Sequence, residues 1–133
     1  MRVLALAALG IVAASAASAQ SMPACSGTFE IIRTDTINPG KLDEFKEAVR
    51  DNQAWYTAHG MKDRVLLGQV LNMEGPNGSA AYATDSAMTI HADIDPDAAD
   101  VPHDAAYSAF VAKYKDSSTI KSTTMVCVSD ISK

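Results

Sequence analysis

The feature of this sequence that most constrains its fold is the order in which strand-like and helix-like patterns follow one another. Segments rich in β-branched and apolar residues, which favour strands, lie at 28–37, 64–73, 87–94 and 119–131. Segments with apolar residues at three- and four-residue steps, which favour helices, lie at 39–59 and 103–117. The sequence therefore predicts the order β-α-β-β-α-β, with loops at 74–86 and 95–102.

The ends of both predicted helices carry residues that favour helix termini. Asn38 suits the cap of the first helix, Pro39 suits its first position, and Gly60 suits a left-handed stop after His59. Asp100 is the predicted cap of the second helix.

This order of elements is typical of the ferredoxin-like, or split βαβ, arrangement. We therefore predict an α+β fold with a four-stranded antiparallel sheet and two helices on one face. In this topology the first strand lies between the third and the fourth. The length from residue 20 to residue 133 suits a single domain.

The two cysteines of the sequence lie near its opposite ends. Cys25 precedes the first strand and Cys127 lies in the second half of the last strand. Because these strands are predicted to be antiparallel neighbours, the fold brings the two residues together, and we predict a disulfide. Two cysteines and three scattered histidines do not match a metal-ligand spacing, so no metal site is predicted.

The N-terminus predicts export. Arg2 is followed by an apolar run and then by Ala17-Ser18-Ala19, the pattern of a cleavable signal peptide over 1–19. A spanning helix needs about 20 apolar residues, and this run is shorter. We predict cleavage after Ala19 and a periplasmic or secreted mature domain, 20–133, without a membrane anchor.

The charge of the chain argues against two classes of partner. The net charge is −5, and loss of Arg2 with the signal peptide makes it −6. A negative domain disfavours nucleic acid and anionic membrane surfaces. The sequence also lacks phosphate-binding glycine loops and dinucleotide fingerprints, so no cofactor is predicted.

Two predicted strands are apolar on both faces, which matters because two helices cover only one face of the sheet. Val65-Leu66-Leu67 in the second strand and Met125-Val126-Cys127-Val128 in the fourth are consecutive apolar residues. The open face then needs a cover, and a second copy of the chain is the simplest one. We therefore predict a homodimer through the open sheet face.

Three segments carry a resemblance to a known superfamily. They are Phe29–Thr34, Asn38–Phe45 and Trp55–Gly60. With them the chain resembles the dimeric α+β barrel superfamily, which includes the antibiotic-biosynthesis monooxygenase-like and NIPSNAP-like small proteins. The resemblance implies sheet-to-sheet dimerisation. It also raises the possibility of a cofactor-independent oxygenase, since such enzymes of aromatic substrates occur among the monooxygenase-like proteins.

His91 and Asp93 are the candidate catalytic residues, because a histidine beside a carboxylate can act as a general base. Strand alternation places both on the more polar face of the third strand. Glu30 and Thr34 on the polar face of the neighbouring first strand are predicted to line the same pocket. The alternative is a structural pair or a solvated strand face.

Trp55, Tyr56 and His59 are the other candidate ligand-binding residues. They lie near the end of the first helix, where they could form the aromatic wall of a cleft between helices and sheet. The alternative is core packing with the polar tips exposed.

An acidic run that begins at the end of the third strand has two interpretations, and one of them is a calcium-binding loop. Its members are Asp93, Asp95, Asp97, Asp100 and Asp104. The run departs from a calcium-binding loop at Ala98, where glycine is required, and at Pro96. A solvated acidic loop is the alternative.

Two functions from different classes remain. The first is an exported small-molecule-binding or accessory protein of the cell envelope. The second is a cofactor-independent monooxygenase-like enzyme that acts on a hydrophobic aromatic substrate, with His91 as its base. A dimerising scaffold without a pocket is a third, structural possibility.

Overall fold

Four strands and two helices follow one another in the predicted order. The computed structural model describes residues 24–73, 79–94 and 101–129. Its elements are β1 Thr28–Ile37, α1 Leu42–Ala58, β2 Arg64–Asn72, β3 Ala81–Ala92, α2 Ala105–Ser117 and β4 Ser118–Val128. The strands form one antiparallel sheet in the order β2-β3-β1-β4. The predicted α+β, ferredoxin-like arrangement is therefore confirmed.

The β2–β3 hairpin is longer than predicted. β3 begins at Ala81 and pairs Tyr82 with Leu71, so the prediction of a loop over 81–86 is wrong. The pairing of β2 with β3 is regular as far as Gln69 and Ala87. After a register shift between Gln69 and Leu71, it resumes with Leu71 opposite Tyr82, which extends the hairpin towards its turn. At its other end β3 stops at Ala92, because Asp93 adopts a positive φ of 53°. Residues 74–78 of the predicted loop lie outside the described residues.

The start of α1 differs from the prediction. The helix begins at Leu42 with Lys41 at the cap, and Asn38 does not cap it. The Asn38 side-chain amide instead donates a 2.7 Å hydrogen bond to the backbone carbonyl of Asp116. Long-range hydrogen bonding to the end of α2 thus replaces local capping. The predicted stop is confirmed, since Gly60 has a φ of 70° just after the helix.

The start of α2 also differs from the prediction. The helix begins at Ala105 rather than at His103, and Asp104 is its cap. The Asp104 carboxylate accepts a 2.8 Å hydrogen bond from the backbone N–H of Tyr107. Asp100, the predicted cap, lies outside the described residues.

The helices pack on one face of the sheet, which we call the covered face. A compact apolar cluster joins the two layers. Its buried members are Ile37, Phe45, Val49, Val65 and Ala87. The ring of Tyr114 from α2 packs edge-on against Phe45, with 5.4 Å between ring centroids. This cluster holds the helices over the sheet, and two polar residues of the same face lie directly beside it, since Asp35 pairs with Ala87 and His91 pairs with Val65.

The opposite face of the sheet, which we call the open face, is apolar at its centre. Ile32 pairs with Ile90, and Ile90 pairs with Leu66, so these side chains share one face across three strands. Leu66 is 44% exposed. The Met88 side chain lies over Gly68 of β2 on the same face.

The predicted disulfide is confirmed. Cys25 and Cys127 are bonded, with 5.7 Å between their Cα atoms. Beside it, a side chain at Gly27 would collide with the backbone carbonyl of Val128, so only glycine allows the two chain ends to approach this closely. A disulfide fits an oxidising location outside the cytoplasm. The predicted signal peptide, 1–19, lies outside the described residues.

Among the described residues, no helix is both long and apolar enough to cross a membrane.

Candidate functional site

A cleft lies between the covered face of the sheet and the two helices, and we call it the sheet–helix cleft. Its first lobe is a cavity of about 230 Å³. Polar side chains from β1, β3 and α1 and aromatic side chains from both helices line this lobe. The members that matter for its chemistry are Arg33, Asn52, Tyr56, His91, Phe110 and Tyr114.

The second lobe, of about 350 Å³, adjoins the first. It is lined by Asp35 and Ser118, and it shares Arg33, Tyr114 and Lys115 with the first lobe. Because Arg33 lines both lobes, the two lobes adjoin at its side chain. We call the first lobe the aromatic lobe, because Tyr56, Tyr107 and Phe110 line it and do not line the second.

The alternation of β1 explains why charged residues lie beneath the helices. Ile31, Arg33, Asp35 and Ile37 are two residues apart, so their side chains share one face. Ile31 pairs with His91, which places His91 on the same face. The apolar residues at either end of this series anchor the covered face, and they carry the two charged residues between them into the cleft.

Buried polar atoms without a hydrogen-bond partner mark this region. Within the described part of the chain they are Arg33 Nε, Asp35 Oδ2, Asn52 Oδ1, Thr89 Oγ1 and His91 Nε2. The residues Asp35, Asn52 and Thr89 are only 2%, 4% and 1% exposed. An unpartnered buried polar group costs about 1–3 kcal/mol, and native proteins contain few of them. Their concentration around one cleft indicates a site that is not optimised for stability.

Some hydrogen bonds hold these side chains in place. The Ser118 hydroxyl donates to Asp35 Oδ1 at 3.0 Å, which leaves Oδ2 without a partner among the described residues. The Asn52 amide N–H donates to the Tyr114 hydroxyl at 3.5 Å. The donor side of Asn52 is therefore engaged, and its acceptor oxygen is buried without a partner among the described residues.

The cleft favours uncharged forms of its ionisable side chains. Burial, assisted by the positive charge of Arg33, lowers the pKa of His91 to about 4, so the imidazole is neutral near pH 7. Burial raises the pKa of Tyr114 to about 12 and also raises that of Tyr56. Burial likewise raises the pKa of Asp35, against the hydrogen bond from Ser118 and the charge of Arg33.

Glu30 and Thr34 do not share a pocket with His91, so that part of the sequence interpretation is wrong. Thr34 pairs with Met88 and Glu30 pairs with Val126, which places both on the open face. The alternation of β1 gives the reason, since the even-numbered residues of its first half face away from the helices. The apparently polar side of β3, with His91, is the covered one.

Asp93 and His91 do not form a hydrogen-bonded pair. The Asp93 carboxylate accepts a 2.6 Å hydrogen bond from Arg64 Nε at the sheet edge. The positive φ of Asp93 ends the strand alternation. His91 Nε2 lies in the cleft without a partner in the described chain, and the His91 ring lies perpendicular to the Tyr56 ring, 6.3 Å away.

Of the three predicted aromatic-wall residues, only Tyr56 lines the sheet–helix cleft. Trp55 and His59 line a separate groove between α1 and α2, of about 350 Å³. The Trp55 indole donates a 2.9 Å hydrogen bond to Asp104 Oδ1, and His59 Nε2 lies 3.4 Å from Asp104 Oδ2. The prediction of a single wall is wrong. Trp55 and His59 are four residues apart and share one face of α1, whereas Tyr56 is rotated about 100° from Trp55 around the helix.

The two described residues of the acidic run, Asp93 and Asp104, have separate roles. Asp93 pairs with Arg64, and Asp104 caps α2. The other three acidic residues lie within 95–100, outside the described residues. Among residues 24–73, 79–94 and 101–129, no group of three or more His, Cys, Asp or Glu side chains is placed to hold a metal ion.

Several cleft residues were not predicted as site residues. They are Arg33, Asp35, Asn52, Tyr107, Phe110 and Tyr114. The available signal was the position of Arg33 and Asp35 in β1, since two charges between Ile31 and Ile37 interrupt an otherwise apolar face. A charged pair at the centre of such a face indicates a functional role rather than packing.

Comparison with models of known protein families and with curated protein sequences finds no match to this chain.

Proposed function

We propose that this protein binds a small molecule in the sheet–helix cleft. One observation carries the proposal: of the five buried polar atoms without a partner among the described residues, four belong to side chains that line the cleft. Groups of this kind lower stability when they remain unpaired, and a bound ligand offers them partners. The dimensions of the two lobes suit a ligand of one or two rings.

The aromatic lobe supports a flat, apolar ligand body. Phe110 and Tyr114 pack edge-on with ring centroids 6.2 Å apart, and Tyr56 lines the lobe from α1. Aromatic walls favour offset or edge-on packing against another ring. Asn52 Oδ1 and His91 Nε2 supply polar atoms that orient such a ligand.

Binding is favoured over catalysis by the properties of His91. A general base works best with a pKa near the working pH, whereas that of His91 is lowered to about 4. Asp93, its predicted partner, is engaged by Arg64. The monooxygenase-like enzyme remains the second candidate, supported by the resemblance to that superfamily and by the position of His91 in the cleft.

The neutral planar probe 2-naphthamide tests the proposal in an NMR titration. We expect it to shift the resonances of Tyr56, His91 and Tyr114, and we expect Tyr56→Ala to weaken binding by about tenfold, as the loss of an aromatic contact implies. Tyr82→Ala is the matched control, since Tyr82 is 63% exposed on the hairpin. An absence of shifts in the cleft with both this amide and the corresponding carboxylate would contradict the proposal.

A second experiment, a measurement of oxygen consumption, separates the two candidate functions. Oxygen consumption in the presence of a bound hydroquinone-type aromatic probe, abolished by His91→Phe, would favour the enzyme. Unchanged oxygen levels and intact probe at saturation would favour simple binding.

We also propose that a second copy of the chain covers the open face. The observation that supports this is the apolar row of Ile32, Leu66 and Ile90 across three strands. Exposed apolar surface that is contiguous favours association. The resemblance to the dimeric α+β barrel superfamily supports the same arrangement, with Glu30 and Thr34 near the seam.

Sedimentation velocity tests the homodimer. We expect a dimer at micromolar concentration and a monomer for Ile90→Lys, because the substitution places a charge in the seam. Ala112→Lys adds the same charge to the exposed side of α2 and should leave the dimer intact. A monomeric wild-type protein would refute this arrangement.

We further propose that the protein works in the periplasm or as a secreted protein. The disulfide supports an oxidising location, and the sequence pattern over 1–19 supports export. Mass spectrometry of protein recovered from the cell envelope or medium should give an N-terminus at Gln20. Recovery of the uncleaved chain from the cytoplasm would contradict this.

A further inference from the structure

We infer that the ligand of the sheet–helix cleft is a small aromatic carboxylate, whose acid group binds to Arg33. The inference rests on the proposed function and names the class of molecule that the cleft takes.

Arg33 lies where the two lobes meet. Its side chain lines both of them, and its Nε atom is buried. An acid group at this point can reach the guanidinium while its ring extends into the aromatic lobe. No other cationic side chain of the described residues combines a buried nitrogen with a position at the centre of the cleft.

Arg33 has no ion-pair partner in the described chain. The ion pairs there are made by other cationic side chains, namely Lys41, Lys46, His59, Arg64 and Lys113. The nearest candidate is Asp35, on the same face of β1. Asp35 Oδ1 accepts its hydrogen bond from Ser118, and Oδ2 accepts none from Arg33. The guanidinium therefore retains donors for a ligand.

The chemistry of a guanidinium favours a carboxylate. Its planar fork matches the two oxygens of a carboxylate, and such charge-assisted hydrogen bonds are stronger than neutral ones. Lys115 also lines both lobes and adds a second positive charge at the rim. Asp35, whose pKa is raised by burial, lines only the second lobe, so an acid group can approach Arg33 from the aromatic lobe.

The aromatic lobe determines what the acid group is attached to. Tyr56 and Phe110 present ring surfaces to the aromatic lobe beside Arg33, and Tyr114 lines both lobes. An aliphatic acid would leave these surfaces without a stacking partner. A carboxylate on a one- or two-ring aromatic body satisfies both parts of the cleft.

A pair of probes that differ only in charge tests the inference by calorimetry at pH 7. They are 2-naphthoate and 2-naphthamide, which have the same ring and nearly the same shape. We expect the wild-type protein to bind 2-naphthoate at least about tenfold more tightly, as a charge-assisted hydrogen bond implies. Arg33→Gln should abolish this preference and keep the affinity for 2-naphthamide.

Arg50→Gln is the matched control, because Arg50 is exposed on α1 and its loss changes the net charge equally. Equal affinities of the wild-type protein for the two probes would overturn the inference and leave the proposed function intact. Binding of neither probe would overturn both. A preference that survives Arg33→Gln and is lost in Lys115→Gln would assign the acid group to Lys115 and so refute the inference.

A measurement on the wild-type protein covers the case in which Arg33→Gln fails to fold. In the NMR spectrum, 2-naphthoate should shift the Arg33 Nε–Hε resonance, and 2-naphthamide should not shift it in the same way. An unchanged Arg33 resonance at saturating 2-naphthoate would overturn the inference.

Discussion

The two faces of the sheet reverse the usual distribution of side chains. The covered face carries Arg33, Asp35 and His91 beneath the helices, whereas the open face carries Ile32 and Ile90 at its centre. In an antiparallel sheet with one solvated side, the covered face is usually the apolar one. Burial beneath the helices therefore does not by itself exclude charged side chains from a face, since Asp35 is only 2% exposed.

The reversal is local rather than general. On the same face Phe45, Val49, Val65 and Ala87 form an ordinary apolar core. The polar residues lie directly beside this core, since Asp35 pairs with Ala87 and His91 pairs with Val65. Substitutions on the two faces therefore separate the contribution of the buried polar residues from that of the open face.

The largest expected effect on stability comes from removing the disulfide, which links the start of β1 to β4 and thus supports both faces. A double Cys25→Ser, Cys127→Ser variant should lose about 4–5 kcal/mol of unfolding free energy, because the bond closes a loop with a sequence separation of 102. Urea denaturation measures the loss. We expect both faces to unfold together, since they share β1.

The nearby hydroxyl pair gives the control for this variant. The Ser26 and Ser129 hydroxyls are 2.9 Å apart beside the disulfide, and they are exposed. A double Ser26→Ala, Ser129→Ala variant should lose less than about 1 kcal/mol. A comparable loss in both variants would show that local packing rather than the covalent bond holds the two strands.

The next effect concerns acid stability and belongs to the covered face. The pKa of His91 is lowered from 6.5 to about 4, so the unfolded state binds this proton at a higher pH than the folded state. Stability is therefore unaffected above about pH 6.5 and falls as the pH decreases towards 4, by at most on the order of 3 kcal/mol. The unfolding free energy, measured by denaturation at several pH values between 6.5 and 4, should depend less on pH in His91→Phe than in the wild-type protein.

His103 provides the control for the acid effect, because it is an exposed histidine. His103→Gln should retain the full pH dependence between 6.5 and 4. The position of the effect can also be checked directly, since Arg33→Gln should raise the pKa of His91 by removing a neighbouring positive charge. A midpoint for His91 near 6.5 in an NMR titration would disprove its burial beside Arg33.

A smaller effect compares threonines on the two faces. Thr89 is 1% exposed, and its hydroxyl has no partner among the described residues. Thr89→Val keeps the shape and removes the unpaired group, so we expect a gain of about 1 kcal/mol in thermal or chemical unfolding. Thr124→Val on the open face should change stability by less than about 0.5 kcal/mol. A destabilised Thr89→Val protein would indicate that the hydroxyl is paired in solution.

The smallest effect is expected at the sheet edge. Asp93→Asn removes an ion pair with Arg64 whose side chains are 44% and 58% exposed, respectively. Such exposed pairs contribute less than about 1 kcal/mol, and asparagine tolerates the positive φ. The variant should also leave the titration of His91 unchanged. A shift in that titration would restore the pairing that the sequence suggested.

The fold was largely predictable because its signals are periodic. The apolar steps of α1 and the β-branched runs give the order of elements, and the topology then pairs Cys25 with Cys127. The hairpin was less predictable, because residues 81–86 include few β-branched residues. The start of this segment is in the sheet because it pairs with the end of β2. The start of α1 depends on the contact between Asn38 and the end of α2, which no local pattern contains.

The candidate site was predictable only in part. His91 and Tyr56 lie in the cleft as expected, but Trp55 and Glu30 do not. The sequence interpretation took the polar side of each strand to be the same side, whereas the register places the odd-numbered residues of β1 opposite His91 and Thr89. Which face of the sheet the helices cover is a tertiary property, and strand alternation alone leaves it undetermined.

The bond between Cys25 and Cys127 makes a covalent ring of nearly the whole described chain. A protease that cuts once within this ring releases no fragment, and the two pieces stay joined until the bond is reduced. A mechanical pull on the two ends of the chain likewise passes through the sulfur atoms and leaves the sheet and helices unloaded. In a location where proteases and shear act on exposed proteins, this topology protects the cleft without any additional contact.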